Sequence, residues 1–421
     1  MRGCLPWLLV LFVGCGDEAF EPRRETRGLY TVAWVAGDAY EMGYQQAELL
    51  RPELLEGLEE IERNLLLKGM LAIARDLELT KVAVDNSYPE IIEECRGLMD
   101  GLGDAGWTMD HCMLLNFGDV IVEFLRRGIL EAEDLTPGCT QFAAAGEATT
   151  GGRLLHGRVL DWSSVDFIVK HPVVFVRRPE GGIPHAVIGF PGNLSPYQGM
   201  NAEGVAVASN EVHPRDNKVN DRRGRSHVQL VGRLLASARS LADARSVVLE
   251  TNHMSLELVL ISDGTARSAE VFEMSPTYVD ILPLEEGVVY ATNHFQGPRT
   301  GALDQDPVPP GSELRLQRLA ELLPPDGKET LHRRITPGTM VRVMRDRKDP
   351  TTGALSPAGE IDDAKSIASN GALYAVVFAP ETRTFWVAAG QQPVPAQPFT
   401  GFSLDRLLGR SGGEPAPDPL R

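Results

Sequence analysis

One cysteine in this sequence directly follows a glycine and precedes a short run that alternates like a strand. The pair is Gly138-Cys139, followed by Thr140-Gln141-Phe142. A thiol can attack the preceding carbonyl when the backbone is distorted, and glycine reaches conformations that residues with a Cβ avoid. Hydrolysis of that thioester would leave Cys139 with an α-amino group of pKa about 7.7–8, which could act as general base for the thiol. The sequence therefore predicts cleavage between Gly138 and Cys139, with Cys139 as nucleophile.

Two charged residues follow on the next strand-like run, after the turn Gly151-Gly152. Arg158 beside the thiol would favour its thiolate form. Asp161 could hold the freed ammonium of Cys139 by a charge-assisted hydrogen bond. The competing interpretation is a plain surface ion pair between Arg158 and Asp161.

Two asparagines at the ends of later strand-like runs could donate to a developing oxyanion. They are Asn293, in Ala291-Thr292-Asn293-His294, and Asn210, in Ala208-Ser209-Asn210-Glu211. Both could instead be turn residues. His156 and His294 lie beside these motifs, but the mechanism needs no histidine, and both are expected to pack or to form structural hydrogen bonds.

Composition excludes several classes of function. The 421 residues carry a formal net charge of −17, and no basic cluster offsets it, so nucleic-acid binding is excluded. The five cysteines and nine histidines show no ligand spacing, so neither a metal site nor a cofactor is expected. Cys95 and Cys112 could pair in an oxidising compartment, but both fall on predicted helices and are expected as buried free thiols.

The first fifteen residues are typical of a bacterial export signal. A positive start is followed by an apolar run that is too short to span a bilayer. It ends in Leu11-Phe12-Val13-Gly14-Cys15, which resembles a lipobox, so Cys15 is predicted to be lipidated and to anchor the exported protein to a membrane. An ordinary cleaved signal is the alternative. Residues 16–28 are expected to form a charged tether.

The hydrophobic period changes at Cys139. Residues 29–138 open with a strand-like run at 29–35 and continue as helices, predicted from Asp38 to Leu65, at 89–102 and at 109–125. Residues 139–405 alternate in groups of strands and helices, and 406–421 are predicted to be disordered. Strand groups with helices between them indicate an α+β fold with antiparallel sheets.

Several further motifs occur in the same order along the chain. They are Gly43-Tyr44-Gln45-Gln46-Ala47, Glu94-Cys95-Arg96-Gly97-Leu98-Met99-Asp100-Gly101, Gly138-Cys139-Thr140, His156-Gly157-Arg158 with Asp161-Trp162, Gly199-Met200-Asn201-Ala202-Glu203-Gly204-Val205, Ala291-Thr292-Asn293-His294-Phe295 and Phe385-Trp386-Val387-Ala388-Ala389-Gly390. Together they resemble the acyl-coenzyme A:isopenicillin N acyltransferase family of autoproteolytic N-terminal-nucleophile hydrolases, which is related to acid ceramidase and choloylglycine hydrolases. The resemblance covers 29–404. One departure is Val159, where relatives often have asparagine and where second-sphere hydrogen bonding could be weakened.

The resemblance implies a four-layer αββα sandwich preceded by a helical pre-cleavage segment. It also implies a hydrolase acting on linear amide (N-acyl) bonds, or an acyltransferase, with Cys139, Arg158, Asp161, Asn210 and Asn293 in the site. The expected partners are a small N-acyl amide and, after cleavage, the chain's own other fragment. The alternative is a catalytically silent lipoprotein that binds acylated small molecules. Aromatic residues were expected to line an acyl pocket, namely Phe142, Trp162, Phe190, Tyr197 and Phe295.

Overall fold

A computed structural model of the chain describes residues 20–117, 138–161, 166–357 and 365–421. The predicted signal with Cys15, the end of the helix predicted at 109–125, and Trp162 lie outside the described residues. In the described residues, no helix is long and apolar enough to cross a membrane.

The helices of the described residues lie mainly before Gly138 and in two later groups. They are α1 (Ala39–Leu49), α2 (Arg51–Arg63), α3 (Leu65–Asp76), α4 (Leu79–Asn86), α5 (Pro89–Leu102), α6 (Met109–Asn116), α7 (Asp166–Lys170), α8 (His227–Ser237), α9 (Leu241–Glu250), α10 (Pro310–Leu322), α11 (Pro337–Met344) and α12 (Leu404–Leu407). The long helix predicted from Asp38 is two helices. Asp38 caps α1 in a capping box with Glu41, and Pro52 lies in the first turn of α2, where its missing N–H is tolerated.

The strands form two sheets. They are β1 (Arg23–Arg27), β2 (Tyr30–Gly37), β3 (Thr140–Gly146), β4 (Gly152–Asp161), β5 (Val173–Pro179), β6 (His185–Gly189), β7 (Gln198–Asn201), β8 (Val205–Glu211), β9 (Glu257–Asp263), β10 (Ser268–Met274), β11 (Val279–Pro283), β12 (Val288–Ala291), β13 (Ala372–Ala379), β14 (Thr384–Ala389) and β15 (Thr400–Ser403). The first sheet has nine strands in the order β1-β2-β5-β6-β7-β8-β9-β10-β11, and the second has six in the order β12-β3-β4-β13-β14-β15.

The two sheets pack face to face between helices, which gives the four αββα layers expected. Strands β3 and β4 contact β8 of the first sheet, so these faces meet in the centre. Helices α1 and α8 cover the outer face of the first sheet, and α11 covers β4 and β13 of the second. All eight residues of β13 are buried because both faces of this strand are covered.

One strand pair departs from the predicted antiparallel pattern. Strand β2 pairs in parallel with β5, with Val32 opposite Val174, whereas every other described pair is antiparallel. A parallel pair needs a long crossover, and the chain between these strands passes through α1–α6, β3 and β4. The segment before Gly138 therefore supplies two strands, β1 and β2, to the first sheet.

The prediction of free thiols at Cys95 and Cys112 is wrong, because the two residues form a disulfide between α5 and α6. Helical positions do not prevent pairing when a turn brings two helices together. Here the two Cα atoms lie 6.0 Å apart, within the range that a disulfide spans.

Both ends of the described chain are held where the sequence predicts a tether or disorder. Arg23–Arg27 forms β1 on the edge of the first sheet. At the other end, the carbonyl of Asp418 accepts a 2.9 Å hydrogen bond from Trp386 Nε1, and Leu420 pairs with Phe399. Backbone pairing and one buried indole thus fix a tail whose Pro- and Gly-rich composition favours disorder.

Candidate active site

Cys139 lies immediately before β3, where the two sheets face each other, and is 3% exposed. Its Sγ is 3.5 Å from the carbonyl oxygen of Asp161 and 3.8 Å from Arg158 Nη2. Burial raises the pKa of the Cys139 thiol, and the nearby positive charge of Arg158 opposes that rise without cancelling it. In the continuous chain the thiol is therefore neutral near pH 7, and the thiolate that Arg158 favours is a minor form.

Arg158 extends from β4 of the second sheet to the first sheet. The same guanidinium that contacts Cys139 donates to the carbonyl of Tyr197 at 3.2 Å, to the side chain of Gln198 and to the carbonyl of Ser209. These acceptors come from the start of β7 and from β8. The surface ion pair considered from sequence is wrong, because Arg158 is 1% exposed. Backbone dipoles from one sheet thus fix a positive charge beside a thiol of the other.

Asp161 closes the other side of the site. Its carboxylate accepts a hydrogen bond from Ser369 Oγ and lies between two glycines. A Cβ added at Gly138 would overlap Asp161 Oδ2, and one added at Gly371 would overlap Oδ1. The close approach of Asp161 therefore leaves no room for a side chain at Gly138.

Asn210 and Asn293 lie side by side at the predicted place. Asn210 Nδ2 donates to the carbonyl of Thr292 at 2.8 Å, and Asn293 Nδ2 donates to the carbonyl of Glu211 at 2.9 Å. Each amide therefore cross-links its own strand end to the residue next to the other asparagine. An amide nitrogen carries two hydrogens, and each of these bonds uses one of them.

Arg315 is the site residue that the sequence analysis missed. Its Nη1 donates to the carbonyl of Cys139 and, at 3.0 Å, to Thr140 Oγ1, while Nη2 donates to Asn293 Oδ1 at 3.0 Å. Arg315 therefore joins the nucleophile to the oxyanion candidate.

Ser312, one turn earlier on α10, fixes the same segment. Its Oγ accepts from the backbone N–H of Asn293 at 2.8 Å and contacts His294 Nδ1 at 2.8 Å. The spacing Ser-x-x-Arg places Ser312 and Arg315 on one face of the helix, and that spacing was the available sequence signal.

The two histidines have the structural roles expected of them. His156 Nδ1 contacts Ser262 Oγ at 2.9 Å, and burial lowers the pKa of His156 to about 3. Burial and then the charge of Arg315 lower the pKa of His294 to about 4. Both rings are therefore neutral at pH 7.

Val159 packs in the core between the second sheet and α11, in a different cluster from Cys139. The expectation that the aromatic residues line one pocket wall is wrong. Phe190 and Tyr197 share the cluster that contains Cys139, whereas Phe142 and Phe295 belong to two other clusters.

No group of three or more metal-ligating side chains occurs within 20–117, 138–161, 166–357 and 365–421. The chemistry that the described site offers is that of a thiol, two guanidinium groups, a carboxylate and two amides.

Sequence comparison assigns this arrangement to a family. The sequence model of the family described as acyl-coenzyme A:6-aminopenicillanic acid acyl-transferase matches residues 152–393, which is more than half of the chain. The chain belongs to this family. The matched residues include Arg158, Asp161, Asn210 and Asn293.

An uncharacterized protein of Archaeoglobus fulgidus is similar to part of the chain. It is 28% identical over 255 residues, which cover 55% of this chain and 41% of the relative. The chain therefore spans about two fifths of the length of that relative.

Three solved structures are also similar to part of the chain. The Caenorhabditis elegans ortholog of N-acylethanolamine-hydrolyzing acid amidase is 14% identical, with a TM-score of 0.41, over 58% of this chain and 93% of that one. A variant of the conjugated bile acid hydrolase from Clostridium perfringens is 13% identical, with a TM-score of 0.37, over 67% and 98%. Penicillin V acylase from Agrobacterium tumefaciens is 13% identical, with a TM-score of 0.34, over 60% and 83%.

Proposed function

We propose that the chain is a self-cleaving cysteine hydrolase or acyltransferase of the N-terminal-nucleophile type, which acts on linear N-acyl amides. The observation that carries the proposal is the convergence of Arg158, Asp161 and Arg315 on the Gly138-Cys139 bond.

Self-cleavage would begin with the thiolate of Cys139 attacking the carbonyl carbon of Gly138. The C–N bond to Cys139 breaks, its nitrogen takes a proton, and a thioester forms between Gly138 and Sγ. Water then hydrolyses the thioester, which leaves a carboxylate on Gly138 and a free thiol and α-amine on Cys139. Asp161, packed against Gly138, is placed to hold the new ammonium.

Turnover would use the same atoms. The α-amine of Cys139 accepts the thiol proton, and Sγ attacks the substrate carbonyl. The second N–H groups of Asn210 and Asn293 stabilise the oxyanion, a contribution of about 3–4 kcal/mol for a donor in comparable sites. Collapse expels the amine with the proton, and water or a second amine then takes the acyl group from the thioester.

Arg315 would keep the nucleophile in place after the cut. It holds the carbonyl of Cys139 itself, on the side of the residue that remains in the larger fragment. After the bond to Gly138 is lost, the new amino terminus would therefore still be held by β3, by Arg315 and by Asp161.

The two fragments would stay together as a heterodimer. Strands β1 and β2 of the smaller fragment remain in the nine-stranded sheet. In addition, Asn116 Oδ1 on α6 accepts hydrogen bonds from the backbone N–H groups of Leu194 and Ser195 at 2.6 and 2.9 Å. These two residues come shortly before Tyr197, whose carbonyl accepts a hydrogen bond from Arg158.

Export is part of the proposal. The disulfide between Cys95 and Cys112 supports an oxidising compartment, since such bonds are rare in the cytosol. Lipidation at Cys15 would then hold the enzyme on a membrane. Intact mass of wild-type and Cys15→Ser protein from membranes of a bacterial host tests this, and an unmodified wild-type amino terminus would contradict it.

Intact mass under denaturing conditions tests the central step. Wild-type protein should yield a larger fragment spanning residues 139–421 and a smaller one ending at Gly138, and Cys139→Ala should stay whole. The same preparations are then assayed on N-acyl amides that differ in acyl length and amine, with release of the free amine as readout. A folded wild-type protein that remains one chain and releases no amine would instead support the silent binding lipoprotein, for which the buried, neutral thiol of the continuous chain is the supporting observation.

A further inference from the structure

A second cavity lies on the outer face of the first sheet, away from Cys139. It has a volume of about 600 Å³, within the range of small-molecule sites. Its walls come from α1, α5, α8 and the β5–β6 connection, and Cys139, Arg158, Asp161 and Arg315 are not among its lining residues. The catalytic chemistry proposed above therefore does not account for it.

A buried ion pair forms part of the wall of this cavity. Arg177 on β5 donates through Nη2 to Glu94 Oε1 on α5, and the two residues are 7% and 2% exposed. The other carboxylate oxygen, Glu94 Oε2, is buried and has no hydrogen-bond partner among the described residues. An unsatisfied buried oxygen of this kind costs about 1–3 kcal/mol or more, so a donor in the cavity would stabilise it.

Arg177 uses one nitrogen for this pair, and a guanidinium has five N–H donors. The inner wall thus offers a carboxylate oxygen that lacks a donor next to a guanidinium with further donors. These two charges cancel. A ligand that complements both would carry one positive and one negative group and have no net charge.

Part of the remaining wall is apolar and could hold an apolar group, namely Met42, Ile91, Ile183, Leu194 and Pro196. Charged side chains also line the cavity, namely Asp38, Glu90, Glu180, Arg233 and Arg239. His185 also lines it, and burial lowers the pKa of His185 to about 3, so its ring adds no charge at pH 7.

We propose that this cavity is a binding site for a small zwitterion with an apolar side chain, of the class of hydrophobic α-amino acids. The ligand ammonium donates to Glu94 Oε2, and the ligand carboxylate accepts from Arg177. The four charges alternate in sign, which is the arrangement with the most favourable Coulomb energy.

Burial raises the pKa of the Glu94 carboxyl against the opposing charge of Arg177. Burial therefore disfavours the ionised carboxylate, and a ligand cation beside Oε2 would stabilise it.

Gly232 on α8 provides a variant that blocks the cavity without touching the ion pair. A Cβ added there would meet only Pro196, at 3.5 and 4.0 Å, which is ordinary contact distance. Replacing a helical glycine also favours the helix by roughly 0.8 kcal/mol. Gly232→Leu should therefore fold and fill part of the cavity.

The experiment is calorimetric titration of the full chain carrying Cys139→Ala, which prevents turnover of the probes. L-Phenylalanine should bind saturably. N-Acetyl-L-phenylalanine lacks the ammonium and L-phenylalaninamide lacks the carboxylate, and each should bind at least about tenfold more weakly. Adding Gly232→Leu should weaken L-phenylalanine binding by a similar factor while the melting temperature is retained.

Two more variants test the contribution of the ion pair and that of the cavity rim independently. Glu94→Gln keeps the shape but removes the charge, and should weaken L-phenylalanine binding at least about tenfold. Glu90→Gln, at the rim and 3.4 Å from Arg233, should leave the binding constant within about twofold.

Two results would overturn the site. One is no saturable binding of L-phenylalanine up to about 10 mM. The other is binding that Gly232→Leu leaves unchanged, which would place the ligand elsewhere, the catalytic cleft included. If Glu94→Gln fails to fold, the Gly232→Leu result alone decides.

Discussion

Two buried arginines, on strands of different sheets, have opposite electrostatic surroundings. Arg177 on β5 faces the ionisable Glu94, so its charge is neutralised where it lies. Arg158 on β4 is held by two backbone carbonyls, an amide oxygen and the Cys139 thiol, so in the described residues its hydrogen-bond partners are neutral. A charge balanced by dipoles still acts on a neighbour that can ionise. Arg177 therefore joins the segments before and after Gly138, whereas Arg158 lies beside the thiol.

The largest expected effect is on the rate of self-cleavage, which should differ between variants of Arg158 and Arg177. Arg158→Gln should slow self-cleavage by about 10²–10³, because it removes the positive charge that favours the Cys139 thiolate. Arg177→Gln should leave the cleavage rate of folded molecules within about twofold. Denaturing intact mass over time, with circular dichroism to measure the folded fraction, gives both rates. Equal slowing by both variants would contradict the comparison.

The free energy of unfolding should show the reverse order, with the larger effect at Arg177 and the smaller one at Arg158. Removing one partner of a buried ion pair costs about 3–5 kcal/mol, so Arg177→Gln should lower the free energy of unfolding by that amount. The double variant Glu94→Leu/Arg177→Met should recover most of it, because no uncompensated charge remains. Urea unfolding in the Cys139→Ala background measures these values, and a double variant no more stable than Arg177→Gln would show that the pair itself is required.

The pH dependence of cleavage should report the buried thiol. Since burial raises the pKa of Cys139 above its ordinary value of 9.0, the thiolate fraction should grow about tenfold per pH unit between about pH 7 and 9. The cleavage rate should follow it. The same shift stabilises the fold at pH values below the ordinary pKa, and that stability is lost as the pH rises through the raised pKa. A rate that is flat over this range would show that a proton transfer other than that of the thiol limits cleavage.

The smallest effect concerns the support of Asp161. Ser369→Ala removes a hydrogen bond to its carboxylate and should slow cleavage about tenfold, since bonds to charged groups contribute about 1.5–3 kcal/mol. The matched control is Ser366→Ala, a buried serine whose hydroxyl donates to the carbonyl of Ala368 at 3.1 Å. Similar slowing by both variants would indicate a general loss of packing.

Much of the fold follows from local pattern. Helix α5 has the predicted bounds, because its apolar residues recur at helical spacing from Pro89 to Leu102. Helices α3 and α4 were missed. Leu65, the first residue of α3, is exposed, whereas Met70, Leu71 and Ala74 of the same helix are buried.

The site was predictable only where its residues are near in sequence or occur in a known motif. Gly138, Cys139, Arg158 and Asp161 fall within one stretch. Arg315 lies 176 residues after Cys139, and its Ser-x-x-Arg spacing does not by itself point to the nucleophile. Its role depends on the tertiary structure, which brings α10 to Cys139 and Thr140.

The parallel pairing of β2 with β5 affects whether the molecule can recover its native state after unfolding. Before a cut, the chain reaches this pairing by folding on itself, and the search is unimolecular. After a cut, separated fragments would have to find each other in solution, so recovery from unfolding would depend on concentration and would compete with aggregation. An enzyme matured in this way would fold efficiently only before it is cleaved. Its functional lifetime would then be set by its rate of unfolding.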